Sequence, residues 1–397
     1  MSDSTPKASP IFQQNTIAVR TGIESDTQHH AVVPPIYLST NYAFPALGDV
    51  PEYDYTRSGN PTRTLLEQAL TDLESGEGAV VTNCGTAALN LLVSAYLSPD
   101  DLIVAPNDCY GGTYRLFNSR GNKGDFKVLF VDPSDEQAMQ AALARRPKLI
   151  LLETPSNPLV RVTDIEKICV QARQAGALVA VDNTFLTPIY QKPLALGADF
   201  VIHSTTKYIN GHSDVIGGVI VAARREHAEE LAWWGNCLGS TGTPFDSYMT
   251  LRGIRTLGAR MRTHEENANA VLAYLQQSEQ VATIYHPSLP EHKGHDIAKK
   301  QQKGFGCMLS FEFNGSQAQL ETFIGQLKLF SLAESLGGVE SLICHPASMT
   351  HRAMDDKAQQ QAGIKPTLLR LSIGLEDHRD LIADLEQAFN TVQEDKK

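Results

Sequence analysis

LVAVDNT (residues 178–184) and ADFVIHSTTKYINGHS (residues 198–213) are the two segments around which this chain is organised. Each carries apolar residues typical of a buried strand, and the strands end in Asp182 and in the run from His203 to Lys207. In an open α/β sheet, functional side chains gather at the carboxyl ends of strands. Lysine forms Schiff bases with carbonyl cofactors, and an aspartate suits a pyridinium nitrogen. The two segments therefore predict a pyridoxal-phosphate enzyme in which Lys207 holds the cofactor and Asp182 its ring nitrogen.

Composition places the chain among ordinary globular proteins. It has 397 residues, of which 42% are hydrophobic and 20% charged, and this length predicts about two to three domains. A net charge of -11 argues against nucleic acid or an anionic membrane surface as a partner. No apolar run reaches the roughly 18 residues of a membrane helix. Because residues 1–14 are polar and have no apolar signal core, we expect a cytoplasmic protein.

Cysteine and histidine spacing gives no sign of a metal site. The six cysteines contain no CxxC pair, so we predict reduced thiols rather than a disulfide framework or a zinc site. His286, His292 and His295 share one loop-like stretch, but their spacing matches no common zinc pattern. We therefore predict no bound metal.

The order of patterns along the chain predicts an α/β fold in three parts. Residues 1–62 contain several prolines and no sustained period, so they form an arm that packs on something else, such as another subunit. Residues 63–255 alternate apolar strands with helices, which predicts a mostly parallel sheet covered on both faces and a large cofactor-binding domain. Residues 256–397 begin with a long helix near residues 261–276 and continue as a smaller C-terminal α/β domain.

Four further positions are candidates for the site, each with a structural alternative. Gly85 lies at a strand-to-helix junction that suits a phosphate, although every βα unit has such a junction. Tyr110 precedes paired glycines, where its ring could stack on a planar cofactor or simply pack under the loop. Asn157 lies in a rigid turn and could be only a turn former. Arg370 lies within an apolar strand, where burial requires an anion, either a substrate carboxylate or an internal Asp or Glu.

The residues around Lys207 resemble the cofactor-attachment signature of the Cys/Met-metabolism transsulfuration family along the whole of residues 199–213. The resemblance extends from about Thr16 to the final helix, with blocks in the family's order. These blocks are RSGNPTR (residues 57–63), DCYGGTYR (residues 108–115), TPSNP (residues 154–158), VDNTF (residues 181–185), LAESLGGVE (residues 332–340) and LRLSIG (residues 369–374).

The resemblance implies the fold-type I aminotransferase architecture, pyridoxal 5'-phosphate as cofactor, and a homotetramer built from two tight dimers. Lys207 and Tyr110 would be catalytic, with Tyr110 also stacking on the ring and taking a proton. The other implied cofactor contacts are Asp182, Gly85, Thr86, Ser204, Thr206 and Asn157, together with Tyr55 and Arg57 from the neighbouring subunit. The implied substrate contacts are Arg370 for the α-carboxylate, Asn157, Glu334, Ser335 and Arg115.

The likeness is strongest to the γ-synthase branch, in which the thiol of cysteine replaces the acyl group of an O-acyl-homoserine to give cystathionine. Gly112 counts against methionine γ-lyases, which tend to carry Cys there, and Glu334 counts against β-lyases. Ser58 departs from the branch, whose members have Arg there, so succinyl preference is open and Arg115 could replace that function. A γ-lyase and a sulfhydrylase are the alternatives. A purely regulatory cofactor-binding protein is disfavoured, since the full catalytic set is present.

Overall fold

In the computed structural model of the protein, the structure describes residues 12–352 and 354–394. The polar stretch of residues 1–11, on which the prediction about export partly rests, lies outside the described residues. The helices are α1 Gln14–Arg20, α2 Pro61–Glu74, α3 Gly85–Tyr96, α4 Gly111–Asn122, α5 Glu136–Ala144, α6 Ile165–Ala175, α7 Thr187–Tyr190, α8 Arg225–Leu238, α9 Pro244–Ile254, α10 Leu257–Leu275, α11 His295–Gln301, α12 Gln317–Gln326, α13 Asp356–Ala362 and α14 His378–Glu394, with a 3-10 turn at Pro193–Leu196. The strands are β1 Gly78–Thr82, β2 Leu102–Pro106, β3 Lys127–Val131, β4 Leu149–Glu153, β5 Leu178–Asp182, β6 Phe200–His203, β7 Gly218–Ala222, β8 Val281–Tyr285, β9 Met308–Phe313, β10 Ser331–Leu332, β11 Leu342–Cys344 and β12 Leu368–Ser372.

Seven strands form the large sheet, in the order β1-β7-β6-β5-β4-β2-β3. The strands from β3 through β2, β4 and β5 to β6 are parallel, and β7 runs antiparallel to both of its neighbours. Their apolar runs are buried because helices cover both faces, as in other parallel sheets. One core lies between this sheet and α3, and another lies against α5 and α6 on the opposite face. The predicted α/β class with a mostly parallel sheet is confirmed.

The second sheet has five strands in the order β10-β11-β12-β9-β8 and is antiparallel except where β10 pairs with β11. Its apolar face packs on α10, α12 and α14 in a core that includes Phe311, Phe323 and Phe389. The same core contains Tyr208, the residue directly after Lys207. Packing of the second sheet therefore fixes the segment that carries Lys207.

A buried arginine also holds this segment. Arg260 on α10 donates hydrogen bonds to the carbonyl oxygens of Tyr208 at 2.6 Å and Ile209 at 3.2 Å. Gly211, with φ +75°, closes the turn, and an added Cβ there would lie only 2.0 Å from the Arg260 guanidinium. The turn after Lys207 therefore requires glycine both for its backbone conformation and for the space that Arg260 occupies.

The structure differs from the sequence-based expectations in detail. The long helix α10 begins at Leu257, four residues before the predicted start, and ends at Leu275. The N-terminal arm contains α1, although its sequence shows no sustained period. Within the part of the chain that the structure describes, no helix is both long and apolar enough to cross a membrane.

Candidate active site

A cavity of about 730 Å³ lies between the carboxyl ends of the large sheet and the second sheet. Strands β4, β5 and β6 end at it, and β10, β11 and β12 close it from the other side. The structure brings most of the predicted site residues together in its lining. These are Gly85, Thr86, Tyr110, Asn157, Asp182, Ser204, Thr206, Lys207, Glu334, Ser335 and Arg370.

Lys207 reaches across the cavity from the turn after β6. Its Nζ donates a hydrogen bond to the Ser335 Oγ at 2.7 Å. The pKa of Lys207 is lowered to about 8, mainly by burial and also by the positive charge of Arg370, while Glu334 opposes the shift. A lysine with this pKa has a substantial neutral fraction near pH 7, so its amine can attack a carbonyl and can exchange protons.

Asp182 ends β5 with one carboxylate oxygen engaged. Its Oδ1 accepts hydrogen bonds from the Thr184 backbone N–H at 3.0 Å and from the Thr184 hydroxyl at 2.5 Å. Burial raises the pKa of Asp182, while the Thr184 bonds and the nearby His203 lower it. Asp182 lines the cavity, and a protonated ring nitrogen bound beside it would favour the ionised carboxylate.

The start of α3 forms an anion cradle. Cys84 caps this 12-residue helix by accepting the Ala87 N–H on its sulfur at 3.3 Å. Gly85 packs so closely on Ser204 that an added Cβ would lie 2.9 Å from the serine Cβ. Gly85, Ser204 and Thr206 all line the cavity. The Thr206 hydroxyl is also hydrogen-bonded to the backbone of Gly217, as donor to its carbonyl oxygen at 3.1 Å and as acceptor from its N–H at 3.0 Å. Backbone N–H groups and the helix dipole favour a phosphate at the start of α3.

Arg370 lies on the opposite wall, almost fully buried at 2% exposure. Its guanidinium donates to the Asn157 Oδ1 at 2.8 Å and to the Ser335 carbonyl oxygen at 2.7 Å. Its Nε is buried without a hydrogen-bond partner among the described residues. Neither of its two contacts is a carboxylate, so an incoming carboxylate fits this guanidinium better than the alternative of an internal Asp or Glu.

Tyr110 lines the cavity with 41% of its surface exposed, as a ring open to a planar ligand would be. Burial raises the pKa of Tyr110, and Glu334 adds to the effect. The phenol therefore keeps its proton at neutral pH in this structure. The predicted role of Tyr110 as a proton acceptor requires the charge of a bound ligand to lower this pKa.

Three predicted residues do not line the cavity within one chain. Tyr55 is 48% exposed, and the Arg57 guanidinium lies over its ring while donating to the Asn236 Oδ1 at 2.9 Å. Arg115 is exposed on α4. Ser58 donates to the Asp54 carboxylate at 2.7 Å, so its hydroxyl is already engaged.

Two residues that hold the site together, Glu153 and His351, are absent from the set predicted by sequence. Glu153 accepts backbone N–H groups of Tyr110 and Asn157. His351 is fully buried, and its Nε2–H donates to the Asn157 carbonyl oxygen at 3.0 Å. Burial lowers the pKa of His351 to about 4, so the ring is neutral and its Nδ1 accepts the Thr350 hydroxyl at 2.9 Å. The only sequence signal for this contact is a Thr-His pair in a loop of no regular period.

A partly neutral lysine, an aspartate at the end of the neighbouring strand, a helix start suited to phosphate and an arginine whose hydrogen-bond partners are not carboxylates fit pyridoxal 5'-phosphate and an amino acid. Fold and cavity thus define a PLP-dependent enzyme of the α/β class. Residues 15–390 match the family described as Cys/Met metabolism PLP-dependent enzyme, and the chain belongs to this family. Its cofactor is accordingly pyridoxal phosphate.

Individual relatives within this family are similar to the chain over nearly its whole length. The chain is 57% identical over 380 residues to cystathionine gamma-synthase from Escherichia coli (strain K12), covering 96% of this chain and 98% of that protein. It is 42% identical to cystathionine gamma-lyase from Bacillus subtilis (strain 168), covering 96% of this chain and all of that protein. It is similar to the solved structure of cystathionine gamma synthase from Xanthomonas oryzae pv. oryzae in complex with cystathionine, with a TM-score of 0.96 and 53% identity over 97% of this chain and 99% of that one.

Proposed function

We propose that this enzyme is a cystathionine γ-synthase: it joins O-succinyl-L-homoserine, or another O-acyl-homoserine, with L-cysteine to give L-cystathionine for methionine biosynthesis. The observation that carries the proposal is the 57% identity to a bacterial γ-synthase, against 42% to a γ-lyase, over the same 96% of the chain. The cavity provides the residues that such a reaction needs.

Binding orients the amino-acid substrate on the wall formed by the C-terminal domain. Arg370 would take the α-carboxylate with the guanidinium edge that now contacts Asn157. Asn157 is held in turn through its carbonyl oxygen by His351. This arrangement fixes Cα near Lys207, because Ser335 contacts both the lysine amine and the Arg370 guanidinium.

When bound, pyridoxal phosphate supplies an aldehyde that reacts with amines and a ring that withdraws electrons from the substrate carbons. Asp182 would keep the ring nitrogen protonated. Lys207, displaced by the substrate amine, would remove the Cα proton and pass protons to and from Cβ, which its pKa of about 8 permits near neutral pH.

The remaining steps replace one group at Cγ by another. The acyl group leaves Cγ as a carboxylate, taking the electron pair of the Cγ–O bond. The thiolate of cysteine then forms the new C–S bond at Cγ, and Lys207 returns the protons to Cβ and Cα. No protein cysteine is needed, and burial raises the pKa of the Cys109 thiol well above its ordinary value, so that thiol is unreactive.

We further propose a homotetramer of two tight dimers in which a neighbouring subunit completes the site. Tyr55 and Arg57 lie outside the cavity of their own chain, as expected if they reach into another. Leu38, Leu47 and Val50 on the same arm expose between 68% and 107% of their surface, which suits a partner's surface. A cytoplasmic location agrees with six free cysteines.

A paired product assay tests the proposal. One reaction contains the PLP-loaded protein with O-succinylhomoserine and cysteine, and the other contains cystathionine alone. Rapid formation of cystathionine with little 2-oxobutyrate from the second reaction is expected. Rapid 2-oxobutyrate from cystathionine with poor synthesis would instead identify a γ-lyase, and O-acetylhomoserine in a third reaction tests the acyl group.

A further inference from the structure

Glu153 is a buried carboxylate that no step of the proposed reaction uses. It ends β4, is 7% exposed, and is paired in the sheet register with Asp182 on β5. Burial raises the pKa of Glu153 well above its ordinary value, and repulsion from Asp182 adds to the effect. Burying a carboxyl group at this place costs stability, and hydrogen bonds to it offset part of that cost.

Those hydrogen bonds connect two separate loops of the site. The Glu153 Oε2 accepts the backbone N–H of Tyr110 at 2.9 Å, and its Oε1 accepts the backbone N–H of Asn157 at 3.0 Å. Tyr110 follows β2 and precedes α4, whose N-terminus has no side-chain cap of its own. Asn157 follows β4. One carboxyl group thus fixes the spacing between the residue proposed to stack on the cofactor and the residue that contacts Arg370.

We propose that Glu153 is a positioning residue for the cofactor site, acting through the backbone of Tyr110 and Asn157. Both of its oxygens must accept a hydrogen bond. A carboxyl group can do this whether or not it is ionised, whereas a glutamine amide can accept through only one of the two atoms. Glu153→Gln therefore leaves one backbone N–H facing an NH₂ group, so that one of the two loops must shift.

The inference rests on the proposed function only for the roles of Tyr110 and Asn157, so the test measures cofactor affinity without substrate. Equilibrium dialysis against pyridoxal phosphate gives Kd for four proteins: wild type, Glu153→Gln, Tyr110→Ala/Asn157→Ala, and the triple variant. A γ-lyase would give the same result as a γ-synthase, so failure of the substrate assignment stays separate. Glu312→Gln, another buried carboxylate at 6% exposure but outside the cavity, is the matched control.

We expect Glu153→Gln to weaken cofactor binding by about 10- to 100-fold in the wild-type background, as loss of an orienting partner typically does. In the double-variant background the same change is expected to cost less than about threefold, because the groups it positions are gone. Glu312→Gln is expected to leave Kd unchanged. An equal loss in both backgrounds, or no loss in either, overturns the proposal. If Glu153→Gln does not fold, Glu153→Ala, which leaves room for water to accept both N–H groups, is compared in the same way.

Discussion

On the side of the large sheet, the cavity wall consists of Gly85, Asp182, Ser204, Thr206 and Lys207, which we call the cofactor wall. On the side of the second sheet it includes Glu334, Ser335, Thr350 and Arg370, which we call the substrate wall. The cofactor wall is carried by strand ends and a helix start, whereas much of the substrate wall lies on irregular backbone, with Ser335 at φ +83°. Regular elements fix the first wall locally, and contacts between distant segments fix the second.

Because the two walls have different proposed roles, substitutions on them are expected to change different kinetic constants. Lys207 connects the two walls, because it lies on the cofactor wall and its amine donates a hydrogen bond to Ser335 on the substrate wall. Changes on the cofactor wall are expected to affect cofactor binding and turnover. Changes on the substrate wall are expected to affect substrate affinity and leave the cofactor in place.

The largest effect is expected from Lys207→Ala. Losing the attachment amine, which is also the proposed proton carrier, is expected to lower kcat by at least about 10³-fold. Mass spectrometry after borohydride reduction should show the cofactor adduct at residue 207 in wild type and none in the variant. Lys192→Ala, whose Nζ contacts only Ser75 among the described residues, is the control. Turnover retained within tenfold in Lys207→Ala would remove Lys207 from the mechanism.

Asp182→Asn tests the cofactor wall alone. An amide of the same shape keeps the packing but cannot hold a protonated ring nitrogen by charge, so we expect kcat to fall by about 10²- to 10³-fold. The KM for the acyl-homoserine is expected to change less than about threefold, because Arg370 is untouched. Steady-state kinetics measures both kcat and KM, and the absorbance spectrum shows whether the cofactor is still bound. A rise in KM as large as the fall in kcat would show that the walls are not separable.

Arg370→Lys tests the substrate wall in the same way. Lysine keeps the charge but loses the planar guanidinium, so the contacts with Asn157 and Ser335 cannot both form. We expect KM for the acyl-homoserine to rise by about 10²-fold, with the cofactor Kd unchanged. Arg115→Lys is the paired comparison: if Arg115 binds the distal acid as predicted, it should raise KM for the succinyl ester more than for the acetyl ester. A loss of cofactor affinity in Arg370→Lys contradicts the division between the walls.

The difference between the walls also explains what could be predicted from the sequence. Asp182 and Lys207 each end or follow an apolar strand, so the rule for parallel sheets is enough to predict that they lie together. Arg370 can be identified from the sequence because burying an arginine in an apolar strand is costly in free energy. Its partner Asn157 cannot be identified in this way, because it is 213 residues away in sequence. Glu153 and His351 could not be predicted, because each acts by hydrogen-bonding to backbone groups. A sequence pattern does not indicate which backbone groups a side chain will contact. The roles of Tyr55 and Arg57 stay predictions, because they depend on a second chain.

The smallest expected effect is a shift in the pH dependence of cofactor capture by Lys207, whose amine contacts Ser335 on the substrate wall. Covalent capture of the cofactor requires the neutral amine, so its rate should rise as pH rises through the pKa of about 8 and level off above it. The rate is measured as borohydride-trapped adduct at residue 207, in cofactor-free protein from pH 7 to pH 10. Ser335→Ala removes the hydroxyl that accepts from the ammonium, and Glu334→Gln removes a negative charge that raises the pKa, so each should move the midpoint down by less than about one pH unit. A midpoint near 10.5, the ordinary value for lysine, would mean that neither burial nor Arg370 acts on this amine.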